Sequence, residues 1–271
     1  MNLTAVAHRV DAVAASFAPP VEPMTAVEMA ARLGLNLDDW QFDALCTDAR
    51  QLLLNIHRQG GKSLVMALLG LHAILSAPNT LVLMISPTER QSGLLFREML
   101  GFYRRLGAPI PALITNRLSL ELADGSAVFA LPGSETNIRG FSAVTLILAD
   151  EAARIPDALM GAVRPMIAIT NGRLIAASTP AGCRGWWHSA WRDGGPDWRR
   201  FEVRADACPR ISAGFLAAEQ RALPRLVYQA EYENAFVETE DAVFGFADIQ
   251  AALTSGLTGI RPFVEETIHA A

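Results

Sequence analysis

The stretch Asn55-Ile56-His57-Arg58-Gln59-Gly60-Gly61-Lys62-Ser63 puts two glycines, an ammonium and a hydroxyl side by side. That set of groups suits phosphate chemistry. An apolar run, Leu52-Leu53-Leu54, leads into it, and an apolar helical pattern over 64–75 leaves it. Strand, glycine turn, Lys-Ser and helix form the context a phosphate-binding loop needs. The N–H groups of Gly60, Gly61 and Lys62 can turn inward around a phosphate because no glycine side chain obstructs the approach. Lys62 would reach the β- and γ-phosphates, and the Ser63 hydroxyl would hold Mg²⁺. The pattern G-x-x-x-x-G-K-[ST] is met except at its first glycine, where Ile56 stands. A glycine turn opening an ordinary helix is the plain alternative.

Downstream, an apolar run over 144–149 ends in Asp150-Glu151. A carboxylate at the end of an apolar strand can complete a Mg²⁺ shell opposite Ser63. A second carboxylate directly after it can orient or deprotonate an attacking water. Two solvated acids at a strand end would read the same way alone; the Gly-Lys-Ser turn upstream argues against that. Ser178-Thr179-Pro180 follow another apolar run, 173–177, and are either a γ-phosphate sensor or a simple turn. Before the loop, Trp40-Gln41 offer an amide that can pair with an adenine edge and an aromatic that can cover it. A helix start with Trp40 in the core explains the same pair.

The elements that must position these groups alternate along the chain. Thr25 and Glu28 form a capping-box pair for a helix after Pro23, and Ala-rich helices precede it, broken at Pro19-Pro20. The continuous apolar run 80–85 reads as a strand buried on both faces, of the kind found in parallel sheets. It runs into the polar loop Ser86-Pro87-Thr88, at the sheet edge where open α/β folds bind ligands. A helix over 89–106 follows, ending at Gly107. Segments 118–122 and 127–131 flank Asp124-Gly125, a hairpin signal. The polar loop 134–142 contains Arg139-Gly140. A helix is expected from Pro156 to about Ile169, a last short strand at 201–203, and a helix over 212–238 with Tyr228, Tyr232 and Phe236 on one stripe.

Trp186, Trp187, His188, Trp191 and Trp198 are interleaved with Arg184, Arg192, Arg199 and Arg200. Nucleic-acid stacking needs such groups, but the helical spacing of Trp187 and Trp191 favours core packing.

Composition narrows the classes. The 271 residues, 51% hydrophobic and 19% charged, suffice for one large α/β domain with a filled core. The net charge of −5 argues against a whole-surface nucleic-acid footprint and leaves room for a local basic patch. Three scattered cysteines draw neither a disulfide framework nor a C-x-x-C metal site, and the five histidines show no metal-ligand spacing. Residues 1–20 lack a signal-peptide apolar region, and the run after Ser63 is too short to span a bilayer.

Taken as an ordered set, Trp40-Gln41, the loop from His57 through Ser63, Ser86-Pro87-Thr88, Arg139-Gly140, Leu146-Ile147-Leu148-Ala149-Asp150-Glu151 and Ser178-Thr179-Pro180 resemble the ATPase domain of phage terminase large subunits, the packaging motors of tailed phages. Tyr228-Gln229-Ala230-Glu231-Tyr232 resembles the stretch that closes that domain. The likeness covers about residues 35–245, and the missing first glycine is typical of that family. It implies an α/β, RecA-like P-loop NTPase with a mostly parallel central sheet, flanking helices and a small helical N-terminal lid. Residues 1–35 would be the helical segment, 36–240 the ATPase domain and 241–271 a tail or linker stub.

The resemblance further implies roles. Trp40, Gln41, His57, Arg58, Gln59, Gly60, Gly61, Lys62 and Ser63 would bind ATP, with Gln41 reading adenine. Arg58 would be a cis arginine for the γ-phosphate, Ser63 and Asp150 would hold Mg²⁺, and Glu151 would be the catalytic carboxylate. Ser178 and Thr179 would couple hydrolysis to movement, and Arg139 would act on a neighbouring subunit's site. Expected partners are double-stranded DNA, a portal protein, a terminase small subunit and further copies in a homo-oligomeric ring, in host cytoplasm and away from membranes. Family members usually add an RNase H-like nuclease. Here Glu265-Glu266 sit as a lone pair in a tail, so no nuclease activity is expected from this chain. The rival readings are a non-hydrolysing or partner-dependent assembly module and a helicase-like remodelling ATPase, which would need a second RecA-like domain. A GTPase is disfavoured because no Asn-Lys-x-Asp occurs.

Overall fold

Strands that read as apolar on both faces do lie inside a sheet covered on both sides. A computed structural model of the chain describes residues 23–133, 138 and 140–238. The helices expected before Pro23, Arg139 with the loop around it, and the Glu265-Glu266 tail lie outside the described residues.

Eight strands form one sheet: β1 Gln51–Ile56, β2 Leu81–Ser86, β3 Ala112–Thr115, β4 Ser119–Leu122, β5 Ala127–Pro132, β6 Leu146–Asp150, β7 Arg173–Ser178 and β8 Trp198–Val203. Their order is β3-β4-β5-β2-β6-β7-β1-β8. From β5 to β8 every pairing is parallel; β3 and β4 add an antiparallel edge. The eight described helices are α1 Ala26–Arg32, α2 Asp39–Cys46, α3 Lys62–Ser76, α4 Glu89–Arg105, α5 Asp157–Val163, α6 Gly185–Asp193, α7 Ala213–Ala222 and α8 Arg225–Tyr232.

The period of two along each strand divides the core. Leu52, Leu54, Val82, Met84, Leu148 and Ile175 point to the face covered by α1–α4. Leu53, Leu83, Ile85, Ile147, Leu174 and Ala176 point to the other face, where Leu159, Met160, Val163, Trp187 and Ala190 of α5 and α6 cover them. Helix α3 buries Val65, Met66, Ala67, Leu68, Leu69, Leu71 and Ile74. It is apolar nearly all round because it is packed between the sheet and α1, α2 and α4. The capping box at α1 forms as expected: Glu28 N donates to Thr25 Oγ1 at 3.2 Å, and Thr25 N to Glu28 Oε2 at 2.8 Å.

Registers bring the chemistry to one edge. Asn55 of β1 lies beside Ser178 of β7, and Asp150 of β6 beside Ala177. The C-terminal ends of β1, β6 and β7 therefore meet, as ligand sites of open α/β sheets require.

Four expectations needed correction. The helix after Pro156 ends at Val163 and tightens into a 3₁₀ turn over Arg164–Ile167, because Pro165 cannot donate back along an α-helix. The 212–238 helix is two helices broken at Pro224 for the same reason. Phe236 consequently leaves the Tyr228–Tyr232 stripe, and its ring sits 5.1 Å from that of His188 and 6.2 Å from that of Trp191. The last strand starts already at Trp198, and the mostly exposed β3 carries no buried alternation that the sequence could display.

Candidate nucleotide-binding site

The turn from β1 into α3 closes around its own lysine. Lys62 Nζ donates to the carbonyls of Ile56 at 2.8 Å and His57 at 3.1 Å. Burial holds its pKa below the ordinary lysine value, against the opposing pull of Glu151, Asp150 and Glu231. Gln59 (φ 59°) and Gly61 (φ 97°) take left-handed backbone to make the turn. Ile56 in turn requires the glycine at position 60. A Cβ on residue 60 would lie 2.5 Å from Ile56 Cγ2, so the isoleucine fills the space that a side chain at 60 would need.

Around this turn lies a cleft of about 530 Å³ lined by Arg58, Gln59, Gly60, Gly61, Lys62 and Ser63 of the loop. Asp150, Glu151, Arg154 and Thr179 line it from the neighbouring strand ends, Gln91 and Glu98 from α4, and Glu231 from α8. Lys62, the Ser63 hydroxyl and both strand-end carboxylates thus line one cleft. Asp150 is 9% exposed, and its pKa is pushed up to about 6 by burial and by Glu151, with Lys62 and the Glu151 N–H pulling it down. Asp150 Oδ1 accepts from Glu151 N at 3.0 Å. Burial and the Asp150 charge also raise the Glu98 carboxyl. Glu151 is in left-handed backbone (φ 51°), an unfavourable region for this residue type.

The remaining sequence candidates stand outside that lining. Trp40, Gln41 and His57 do not line the cleft. Trp40 packs on the core, as its plainer reading held. Gln41 Oε1 accepts from Asp38 N at 2.9 Å in the cap of α2. His57 is buried; its Nδ1 sits 2.7 Å from Arg58 O and its Nε2 has no partner among the described residues. Burial lowers its pKa, so the ring is favoured in the neutral form. Ser178 Oγ accepts from Ala153 N at 3.2 Å and donates to Thr179 O at 2.6 Å. The end of β7 is therefore tied to the turn that follows Asp150-Glu151.

The aromatic patch is core. Trp187 and Trp198 are buried, and Trp186 Nε1 donates to Ile155 O at 3.0 Å. Arg200 donates to the carbonyls of Ala190, Trp191, Gly195 and Trp198, closing the end of α6 rather than facing a nucleic acid. Gln91, Glu98 and Arg154 were not singled out from the sequence, and Glu231 was named only within the stretch Tyr228–Tyr232, with no role at the site. Arg154, one helical turn after Glu151, offered a local signal; tertiary packing brings the others to the cleft.

An eight-stranded, mostly parallel sheet with a Gly-Lys-Ser turn entering a covering helix defines the class: the fold is the RecA-like α/β fold. Within that class the chain is similar to the terminase large subunit of Thermus virus P23-45, with 25% identity over 256 residues, 80% of this chain and 52% of that protein. Among solved structures it matches the large terminase ATPase domain of Thermus phage P74-26 (TM-score 0.70, 20% identity, 80% of this chain and 100% of that one). It also matches the large terminase of a thermophilic bacteriophage in complex with ADP (TM-score 0.62, 14% identity, 74% of this chain and 54% of that one). The chain spans about half the length of the curated relative it matches. No protein-family model matches it. The resemblance that the ordered motifs carry is thus the one that whole-chain comparison returns.

Proposed function

We propose that this chain is the ATPase part of a terminase large subunit, hydrolysing ATP with Mg²⁺ to drive double-stranded DNA into a viral procapsid. The observation that carries the reading is the shared cleft, in which Lys62, Ser63, Asp150 and Glu151 meet at the C-terminal ends of parallel strands. The donor set fits Mg²⁺: the Ser63 hydroxyl and the Asp150 carboxylate are hard oxygen ligands on the same cleft. When bound there, the ion supplies neutralisation of phosphate charge.

The residues divide the remaining work. The Gly60, Gly61 and Lys62 N–H groups cradle the phosphates, and the Lys62 ammonium balances their charge. Arg58, exposed on the cleft rim, reaches the γ-phosphate. Glu151 orients and deprotonates the attacking water. Ser178 and Thr179 relay product loss through the bond to Ala153. Trp40 and Gln41 support the loop from behind, and Gln41 reads adenine only if it leaves its cap. Arg139 serves a neighbouring copy in a ring, and the working assembly includes a portal, a small subunit and a nuclease on another segment or chain. Its place is the host cytoplasm; no described helix is long and apolar enough to cross a membrane.

ATP turnover measured against protein concentration, with and without double-stranded DNA and beside Glu151→Gln, tests this. Turnover that Glu151→Gln abolishes supports the ATPase, and a faster than linear rise supports a residue given in trans. ATP binding without turnover in either protein would turn the reading toward an assembly module.

A further inference from the structure

Glu151 is not free in the cleft. Its Oε2 accepts from Arg154 Nη1 at 2.8 Å, and Arg154 Nη2 pairs with Glu231 Oε1 at 3.3 Å. Glu231 Oε2 is in turn the acceptor for Thr179 Oγ1 at 3.5 Å, the longest link of the chain. The Glu231 backbone carbonyl accepts from Arg58 N at 2.9 Å. One residue at the end of α8 thus touches three parts of the site: the phosphate loop through its main chain, and Thr179 and the Glu151 partner through its side chain.

We infer that Arg154 and Glu231 are positioning residues for Glu151, resting on the ATPase reading above, and that Glu231 links the carboxylate's orientation to the phosphate loop. Arg154 is 40% exposed in its side chain, Glu151 30% and Glu231 17%. Ion pairs this wet add little to stability, so holding the fold together does not explain the arrangement. Orientation does. Glu151 hangs from a left-handed backbone position, and its flexible side chain has no other hydrogen-bond partner among the described residues. A guanidinium is planar and holds two carboxylates at a fixed relative angle. Held at one end by Glu231, Arg154 restricts the orientation of Glu151 within the cleft that Lys62 and Thr179 also line. Misplacing a catalytic group by about 1 Å can cost about 100-fold in rate.

The test is steady-state ATP turnover of the full chain as wild type, Glu151→Gln, Arg154→Ala, Glu231→Ala and the double variant, with Arg154→Lys and Glu231→Gln as conservative variants. Binding of a fluorescent ATP analogue and thermal melts are measured on each. Expected are about tenfold or larger losses in kcat for each alanine variant with KM and analogue affinity within about twofold. The double variant should be no worse than the worse single one, since both act through one orientation, and Glu231→Gln, which keeps an acceptor for Arg154, should regain part of the rate. Unchanged or raised kcat in folded Arg154→Ala, or losses that simply multiply in the double variant, would overturn the inference while leaving the ATPase intact. A wild type no faster than Glu151→Gln would overturn both.

Discussion

Gln41 presses its side-chain amide against Gly61: a Cβ on residue 61 would lie 2.3 Å from Gln41 Nε2. The start of α2 and the phosphate loop are therefore packed glycine to amide, with the other end of the amide held by Asp38 N. Gly61→Ala would meet both that contact and an unfavourable φ of 97°, and it should abolish nucleotide binding. Gln41→Ala should cost about 1 kcal/mol of stability through the lost cap. Its effect on base choice separates two roles. A loop support lowers affinity for ATP and GTP alike, whereas an adenine reader narrows the preference between them, as competition binding would show.

The pH dependence of stability follows from Asp150. Its carboxyl titrates about 6 in the folded chain against 3.8 ordinarily. The folded state therefore binds the proton more tightly, and the associated stability is full below about pH 4 and lost as pH rises toward about 6. His57 works in the opposite sense, because its lowered pKa makes folding lose stability as pH falls below 6.5. Urea midpoints of wild type and Asp150→Asn between pH 4 and 7, without divalent ions, isolate the first contribution. The variant should be the more stable protein near neutral pH, and the two curves should converge on acidification.

Asn55 and Asn234 clasp each other in the core. Asn234 Nδ2 donates to Asn55 O at 3.0 Å and Val203 O at 2.8 Å, and Asn55 Nδ2 to Asn234 O at 3.3 Å. The segment after α8 is thereby fastened to the ends of β1 and β8, directly before the phosphate loop. Asn234→Ala should destabilise by about 1–3 kcal/mol, because it removes the amide that donates to Asn55 O and to Val203 O, the latter keeping only its bond from His57 N. It should also loosen Glu231 from Arg58, so hydrogen exchange at Arg58 should rise.

Arg200 separates the core reading of the Trp-Arg patch from DNA grip. Arg200→Ala should cost about 2 kcal/mol, the range for hydrogen bonds from a charged group. DNA stimulation of turnover in the folded variant should be unchanged; a selective loss of that stimulation would restore the nucleic-acid role.

The order of elements, the strand that feeds Gly60-Gly61-Lys62-Ser63 and the acidic pair after β6 were legible because apolar runs, glycines and adjacent charges are local signals. Breaks at Pro165 and Pro224 were equally local and still outweighed in reading by the surrounding helical pattern. Strand order was another matter. Parallel neighbours such as β1 and β8 are far apart in sequence, and nothing within either strand names its partner.

The sequence by itself determined that two glycines, a lysine, a serine and an acidic pair stand at the ends of apolar strands and which face of each strand is apolar, since side-chain chemistry and the period of two need no partner. Tertiary structure alone decided what those groups meet. Arg154 and Glu231 are 77 residues apart, and only the packing of α8 beside the phosphate loop makes them neighbours. Lys62 and Asp150 are buried in the assembled core, and that burial, which no local stretch of sequence carries, is the largest cause of their shifted proton affinities.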